Sequence, residues 1–248
     1  MSDVECRGGR WRMSTVGCPG GNPEGIVSSN ADQPMVERLF VALPLPESLR
    51  ESLAQVQEEL RAVVPSRSCA WVKPEAMHLT LRFLGNVDSN QREALIRELG
   101  ASLSGQRQLR LQAERLGCFP NLRHPRVLWA WVHDQGEPEA HSAGSGQAKG
   151  LKCLQRAVSM ASAAFTQQAE EPALRLSNGP RFHGHITLAR VKQSTRRDVA
   201  ALAQYVDQAS RRQFGEWLAG RVELLRSEPT STGSRYTHVA NWDLQAGA

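Results

Sequence analysis

The chain reads as an α+β fold of two similar lobes, each an antiparallel or mixed sheet backed by helices, facing one another across a central cleft. Three observations predict this. His78-Leu79-Thr80-Leu81 and His185-Ile186-Thr187-Leu188 repeat one phrase: histidine, an apolar residue, threonine, leucine. The order strand, helix, His-Thr strand, helix, strand occurs twice around those segments. The composition is that of a globular protein, 40% hydrophobic and 22% charged, and 248 residues are enough to bury a substantial core.

Taken in order, residues 1–34 are rich in Gly, Ser, Asn and Pro without apolar periodicity, and a disordered leader is expected there. Arg10 and Arg12 hint at an organellar transit peptide, and Asp3 and Glu5 argue against one. The domain itself is expected over 35–248, as lobes of about 35–125 and 126–248 with strands open to exchange between them.

Glu37 to Leu43 is a compact apolar strand stopped by Pro44 and Pro46. Leu49, Leu53, Val56 and Leu60 recur at helical spacing. After a Pro65-Ser66 turn, Trp71 to Pro74 lead into the first His-Thr strand, which should stop at Gly85-Asn86. Asp88 can cap the next helix, with Gln91 completing a capping box and Leu95 and Leu99 facing inward. Leu109 to Leu116 is a strand, followed by Cys118-Phe119-Pro120 and a basic loop holding Arg123, His124 and Arg126.

The second half repeats this order. Val127 to Val132 is a strand with Trp129 and Trp131 on one face. Residues 134–149 are polar and rich in Gly and Ser, which predicts a flexible surface loop. Leu151, Leu154, Val158, Ala161 and Phe165 make a helix face, and Asn178-Gly179-Pro180 precedes the second His-Thr strand. Thr195 and Asp198 form a capping box for a helix buried along Val199, Leu202 and Val206. Strands at Val222–Leu225 and Tyr236–Leu244, joined through Pro229 and Gly233, close the chain.

The net charge of +5 is carried almost entirely by arginine, whose planar fork of donors suits phosphate. It matches an anionic substrate, but no run of Lys or Arg resembles a nucleic-acid tail. Five widely spaced cysteines, at 6, 18, 69, 118 and 153, make neither a zinc pattern nor a disulfide framework, which points to a reducing compartment, the cytoplasm. No apolar run is long enough to span a membrane, so no membrane association is expected. No Asp, Glu or Cys set near the two histidines completes a hydrolytic metal site, and there is no Gly-rich phosphate loop. Neither metal nor cofactor is expected.

Side chains alternate along a strand, so His78 and Thr80 share one face, and His185 and Thr187 another. Two imidazoles on opposite sides of a substrate can divide acid and base work near neutral pH. Each threonine hydroxyl can donate to a phosphate oxygen. Arg82 has the parity of His78 and so points to the cleft. Arg190 has the wrong parity and reaches the cleft only if its strand ends or bulges before it. His183 reads as a strand-entry residue, and His124, His133, His141 and His238 fall in no repeated pattern.

With these motifs in view, the chain resembles the 2H phosphoesterase superfamily, and within it the RNA 2′,3′-cyclic phosphodiesterase branch, long described as 2′-5′ RNA ligase-like. The resemblance rests on Trp71 to Gly85, on Phe119-Pro120 with Pro125 to Trp129, and on His185 to Arg190. It runs from Arg38 to Leu244, about four-fifths of the chain.

The resemblance implies the two-lobed, pseudo-symmetric 2H fold and hydrolysis of an RNA-terminal 2′,3′-cyclic phosphate, or of a related cyclic nucleotide, to the 2′-phosphomonoester. It implies catalysis without a metal; a cytoplasmic monomer acting in RNA processing, with no cofactor, is expected. His78 would be the acid and His185 the base, with Thr80, Thr187 and Arg190 as phosphate contacts, and the second motif strand would therefore end near Ala189. Gly184 stands where the family has proline; glycine frees the backbone before His185 and predicts an altered rate or substrate range. Two alternatives stay open: action on 2′-5′ oligonucleotides or ADP-ribose cyclic phosphate, and a catalytically weak RNA-end or nucleotide-binding module.

Overall fold

The computed structural model describes residues 35–64, 68–135, 150–166, 182–192, 194–230 and 233–246. The expected leader, the Pro65-Ser66 turn, the Asn178-Gly179-Pro180 approach and residues 136–149 of the expected loop lie outside them.

Each apolar pattern becomes one face of an element. Strand β1 (Val36–Pro44) points Leu39, Val41 and Leu43 toward the helices, and Pro46 opens α1 (Glu47–Val63). The helical stripe Leu49, Leu53, Val56, Leu60 is buried without exception. A short β2 (Cys69–Trp71) leads to β3 (His78–Asp88), then α2 (Arg92–Leu103) and β4 (Leu109–Phe119). The rest is β5 (Val127–Asp134), α3 (Leu151–Ala161), β6 (His185–Val191), α4 (Arg196–Gln208), β7 (Gln213–Ala219), β8 (Arg221–Thr230) and β9 (Gly233–Asp243).

Strands β2 and β7 were not expected from the sequence, β4 runs on to Phe119, and β8 and β9 take in Pro229 and Gly233, where a joint was expected. Other boundaries differ as well. Strand β3 does not stop at Gly85-Asn86: Gly85, at φ 74°, absorbs an irregularity and the strand goes on pairing with β1 to Asp88. Asp88 therefore caps a single 3-10 turn by accepting from Asn90 N–H at 2.9 Å, and α2 starts only at Arg92, with no side-chain capping bond from Gln91. Helix α3 ends at Ala161, where Ser162 Oγ donates back to Val158 O at 2.7 Å and Ala163–Phe165 tighten into a 3-10 turn. Asp134 is not loop: it is the buried last residue of β5 and accepts from Leu151 N–H at 3.3 Å, tying β5 to the start of α3. The Thr195–Asp198 capping box of α4 forms in full.

The two expected sheets are continuous. Every named strand pair is antiparallel, in the order β7-β4-β5-β6-β3-β1-β8-β9 with β2 on β6. The wings meet at one registered pair, Leu79 of β3 with Ile186 of β6. The wing β7-β4-β5-β6 carries contacts with α1 and α4, and the wing β3-β1-β8-β9 with α2 and α3. Each wing thus uses strands and helices from both halves of the chain: β4 crosses one way, and β8 and β9 the other. The apolar core lies between the sheet and its helices, and the opposite face holds the two motifs.

Candidate active site

The single pair joining the wings is also what brings the motifs together. Counting outward from Leu79–Ile186 sets His78 beside Thr187 and Thr80 beside His185 on the face away from the core. Directly opposed residues of an antiparallel pair lie roughly 5 Å apart and diagonal ones about 7–8 Å. The two histidines are the diagonal pair, a separation into which a phosphate fits.

Neither motif strand keeps simple alternation. Opposite β1, Ala42 faces Thr80 but Val41 faces Arg82, so Leu81 is bulged out of the ladder. Opposite β5, Trp129 faces Thr187 but Leu128 faces Ala189, so Leu188 is bulged in the same way. One extra residue reverses parity beyond it. Arg82 is thereby turned away from the cleft, and its guanidinium donates to Thr166 Oγ1 at 3.3 Å; the cleft position passes to Phe83. Arg190 is turned into the cleft by the same device. Strand β6 does not end near Ala189; it runs to Val191, and Arg190 is presented from within it.

A cavity of about 380 Å³ is lined by His78, Thr80, Thr187 and Arg190 together with Arg38, Phe83 and Tyr236. His185 is not part of that wall; register places it across from Thr80. Both imidazoles are held alike. His78 Nδ1 lies 2.9 Å from Ala76 O, and His185 Nδ1 lies 2.9 Å from His183 O. A carbonyl only accepts, so each neutral ring must carry its proton on Nδ1, leaving the Nε2 lone pair free. Aromatic rings fix the ring planes: Phe40 and Tyr236 at 4.8 and 5.2 Å from His78, Phe119 and Trp129 at 5.1 and 6.2 Å from His185. Burial pushes the His78 imidazolium down to about 4, with the carbonyl of Ala76 pulling it up and the charge of His185 pushing it further down. Burial also lowers His185, against the carbonyl of His183 and together with that residue's charge.

Gly184 does not loosen the approach to His185. It is buried, its carbonyl accepts from Val132 N–H at 2.9 Å, and a Cβ there would lie 2.7 Å from Val132 O. Gly117 leaves room for Trp129, since a Cβ there would meet the indole at 2.4 Å.

The aromatic clamps, the bulges and Phe83 were not read from the sequence, because aromatic residues in strands look like ordinary core. The repeat was the available signal: Phe83 falls five residues after His78, as Arg190 falls five after His185. Arg123, His124 and Arg126 lie apart from the cleft, in a groove of about 760 Å³ with Lys192 and Arg196 at the end of β6. His183 is exposed and serves through its carbonyl. Among the described residues no group of three or more His, Cys, Asp or Glu could hold a metal ion, and no helix is long and apolar enough to cross a membrane.

With this geometry, residues 43–129 match the family model for LigT-like phosphoesterases. The chain is 31% identical over 199 residues to an RNA 2′,3′-cyclic phosphodiesterase of Archaeoglobus fulgidus, covering 80% of this chain and 96% of that protein. It is 30% identical over 211 residues to a protein of the same name from Thermus thermophilus, covering 84% and 90%. Among solved structures, the Thermus thermophilus protein TT0787 superposes with a TM-score of 0.63 at 27% identity, covering 85% of this chain and all of the other. E. coli LigT complexed with 3′-AMP shares the fold, with a TM-score of 0.59 at 24% identity over 85% of this chain and 99% of that one.

Proposed function

The chain belongs to the LigT-like phosphoesterase family, and from that premise we propose that it hydrolyses a 2′,3′-cyclic phosphate at an RNA end to the 2′-phosphomonoester. One observation carries the reading. Two imidazoles, each with Nδ1 committed to a carbonyl, present Nε2 diagonally across one strand pair, with a threonine beside each.

In this reading the phosphate lies between them. Nε2 of His185 takes a proton from water as the water oxygen bonds to phosphorus. The P–O3′ bond breaks, and protonated His78 gives its Nε2 proton to the departing O3′. Turnover leaves His185 protonated and His78 neutral, so solvent exchange must restore the pair. The hydroxyls of Thr80 and Thr187 and the guanidinium of Arg190 donate to the non-bridging oxygens, on which charge builds in the transition state. Apart from the attacking water, the groups used in these steps are side chains of the chain itself.

An RNA strand, rather than a lone nucleotide, is supported by the groove at the end of β6. Arg123, Arg126, Lys192 and Arg196 line it, and none has an acidic partner among the described residues. Such a run of cations suits a phosphodiester backbone.

The test is a short RNA ending in a 2′,3′-cyclic phosphate, incubated with the protein in excess EDTA, with the terminal phosphate identified. A 2′-phosphate is expected. His78→Ala and His185→Ala should each lower kcat by at least about 10²-fold with an unchanged circular dichroism spectrum. A folded variant of either kind that turns over at a near-normal rate would contradict the mechanism.

A further inference from the structure

Arg190 faces the cleft only because Leu188 is bulged, so whatever holds that bulge also aims the guanidinium. One side chain does this from the far side of the sheet. Gln57, on α1, is 1% exposed and reaches the point where β6 leaves regular pairing. Its Nε2 donates to Leu188 O at 2.8 Å and to Val72 O at 2.8 Å. Leu188 O also accepts from Val72 N–H at 2.9 Å. A primary amide has two N–H bonds, and here one goes to each of two facing carbonyls, bridging β6 to the chain that continues β2.

The same side chain is poorly explained as a stabilising one. Its Oε1 is buried with no hydrogen-bond partner, and a buried polar atom in that state costs free energy. An apolar residue beside Leu53, Val56 and Leu60 on this buried helix face would remove that unpaired oxygen, but it would also take the side-chain donor from Val72 O. Only a donor, however, can join the two carbonyls.

We propose that Gln57 is a positioning residue for phosphate binding: it fixes the Leu188 bulge and through it the direction of Arg190. The inference rests on the reading that Arg190 contacts the substrate phosphate. Gln57 touches no substrate, and its whole effect on binding passes through Arg190.

The experiment is a double-mutant cycle on 3′-AMP binding, measured by titration calorimetry so that no turnover is required. Gln57→Met keeps length and removes both donors; Gln57→Leu is the second variant should the first not fold, and thermal unfolding accompanies each. Gln57→Met is expected to weaken binding roughly tenfold in the native background and less than about twofold in the Arg190→Ala background. Equal losses in both backgrounds, or no loss in the native one, would overturn the proposal. If Arg190→Ala itself leaves binding unaltered, the phosphate assignment fails, and this inference with it.

Discussion

In the free enzyme both imidazoles are held neutral near pH 7, for burial lowers each below the ordinary histidine value of 6.5 and His78 to about 4. The proposed mechanism needs one proton on the pair, and that form is most populated between the pair's two macroscopic pKa values. Both values lie below 6.5, so kcat/KM, which reports the free enzyme, should peak on the acidic side of about pH 6.5 and fall toward pH 8. A bound phosphate anion favours the imidazolium, which moves the kcat optimum above that of kcat/KM. Initial rates on a cyclic nucleotide between about pH 4 and pH 9 check both statements; a kcat/KM optimum above about pH 7 would contradict them. At this scale the histidines and threonines were legible because they repeat. The carbonyls of Ala76 and His183, which set the tautomers, were not, since any residue has a carbonyl.

At the scale of elements, alternation led to the wrong arginine. A bulge leaves no mark on residue types: Leu81 and Leu188 look like any strand leucine, yet each inverts the facing of the residues beyond it. Resemblance to the family pointed to Arg190, which does line the cleft, but suggested strand termination as the cause, where the backbone shows continued pairing. Gly184 is the second such case. It reads as slack before His185, whereas β5 packs directly on it, with Val132 O 2.7 Å and Leu151 Cδ2 2.9 Å from where a Cβ would stand. Gly184→Pro should therefore not tighten the site. The ring must push β6 away from β5, and overpacking of this kind costs about 1–3 kcal/mol. A lowered unfolding midpoint together with a lowered kcat is expected, and a more stable or faster enzyme would show that the strands yield freely. The capping boxes divide in the same way: Thr195–Asp198 forms, while Asp88 is used by a 3-10 turn because β3 carries on to it.

Across the whole molecule, the charge read from composition becomes a placed feature. Arg123, Arg126, Lys192 and Arg196 cluster at the end of the strand that presents Arg190. Neutralising a contact to a single strand removes about 0.7 from the salt slope of binding. Replacing all four by Gln should therefore raise KM for an RNA oligomer severalfold more than KM for a cyclic mononucleotide, and flatten the oligomer's salt dependence. Equal effects on both substrates would place the strand elsewhere. The helices, most of the strands and the paired motifs were readable, but β2 and β7 were not expected, and the crossing of β4, β8 and β9 between wings left no signal, because pairing partners far apart leave no local pattern. That crossing has a consequence for how the protein is made. Strand β1 is among the first elements to leave the ribosome, but its second neighbour, β8, pairs with it through Glu223 to Arg226, near the end of the chain. Until those residues emerge, one side of β1 stays an open edge able to recruit any passing strand. The cleft is thus completed last, and a nascent chain holding both histidines is still unfinished as an enzyme.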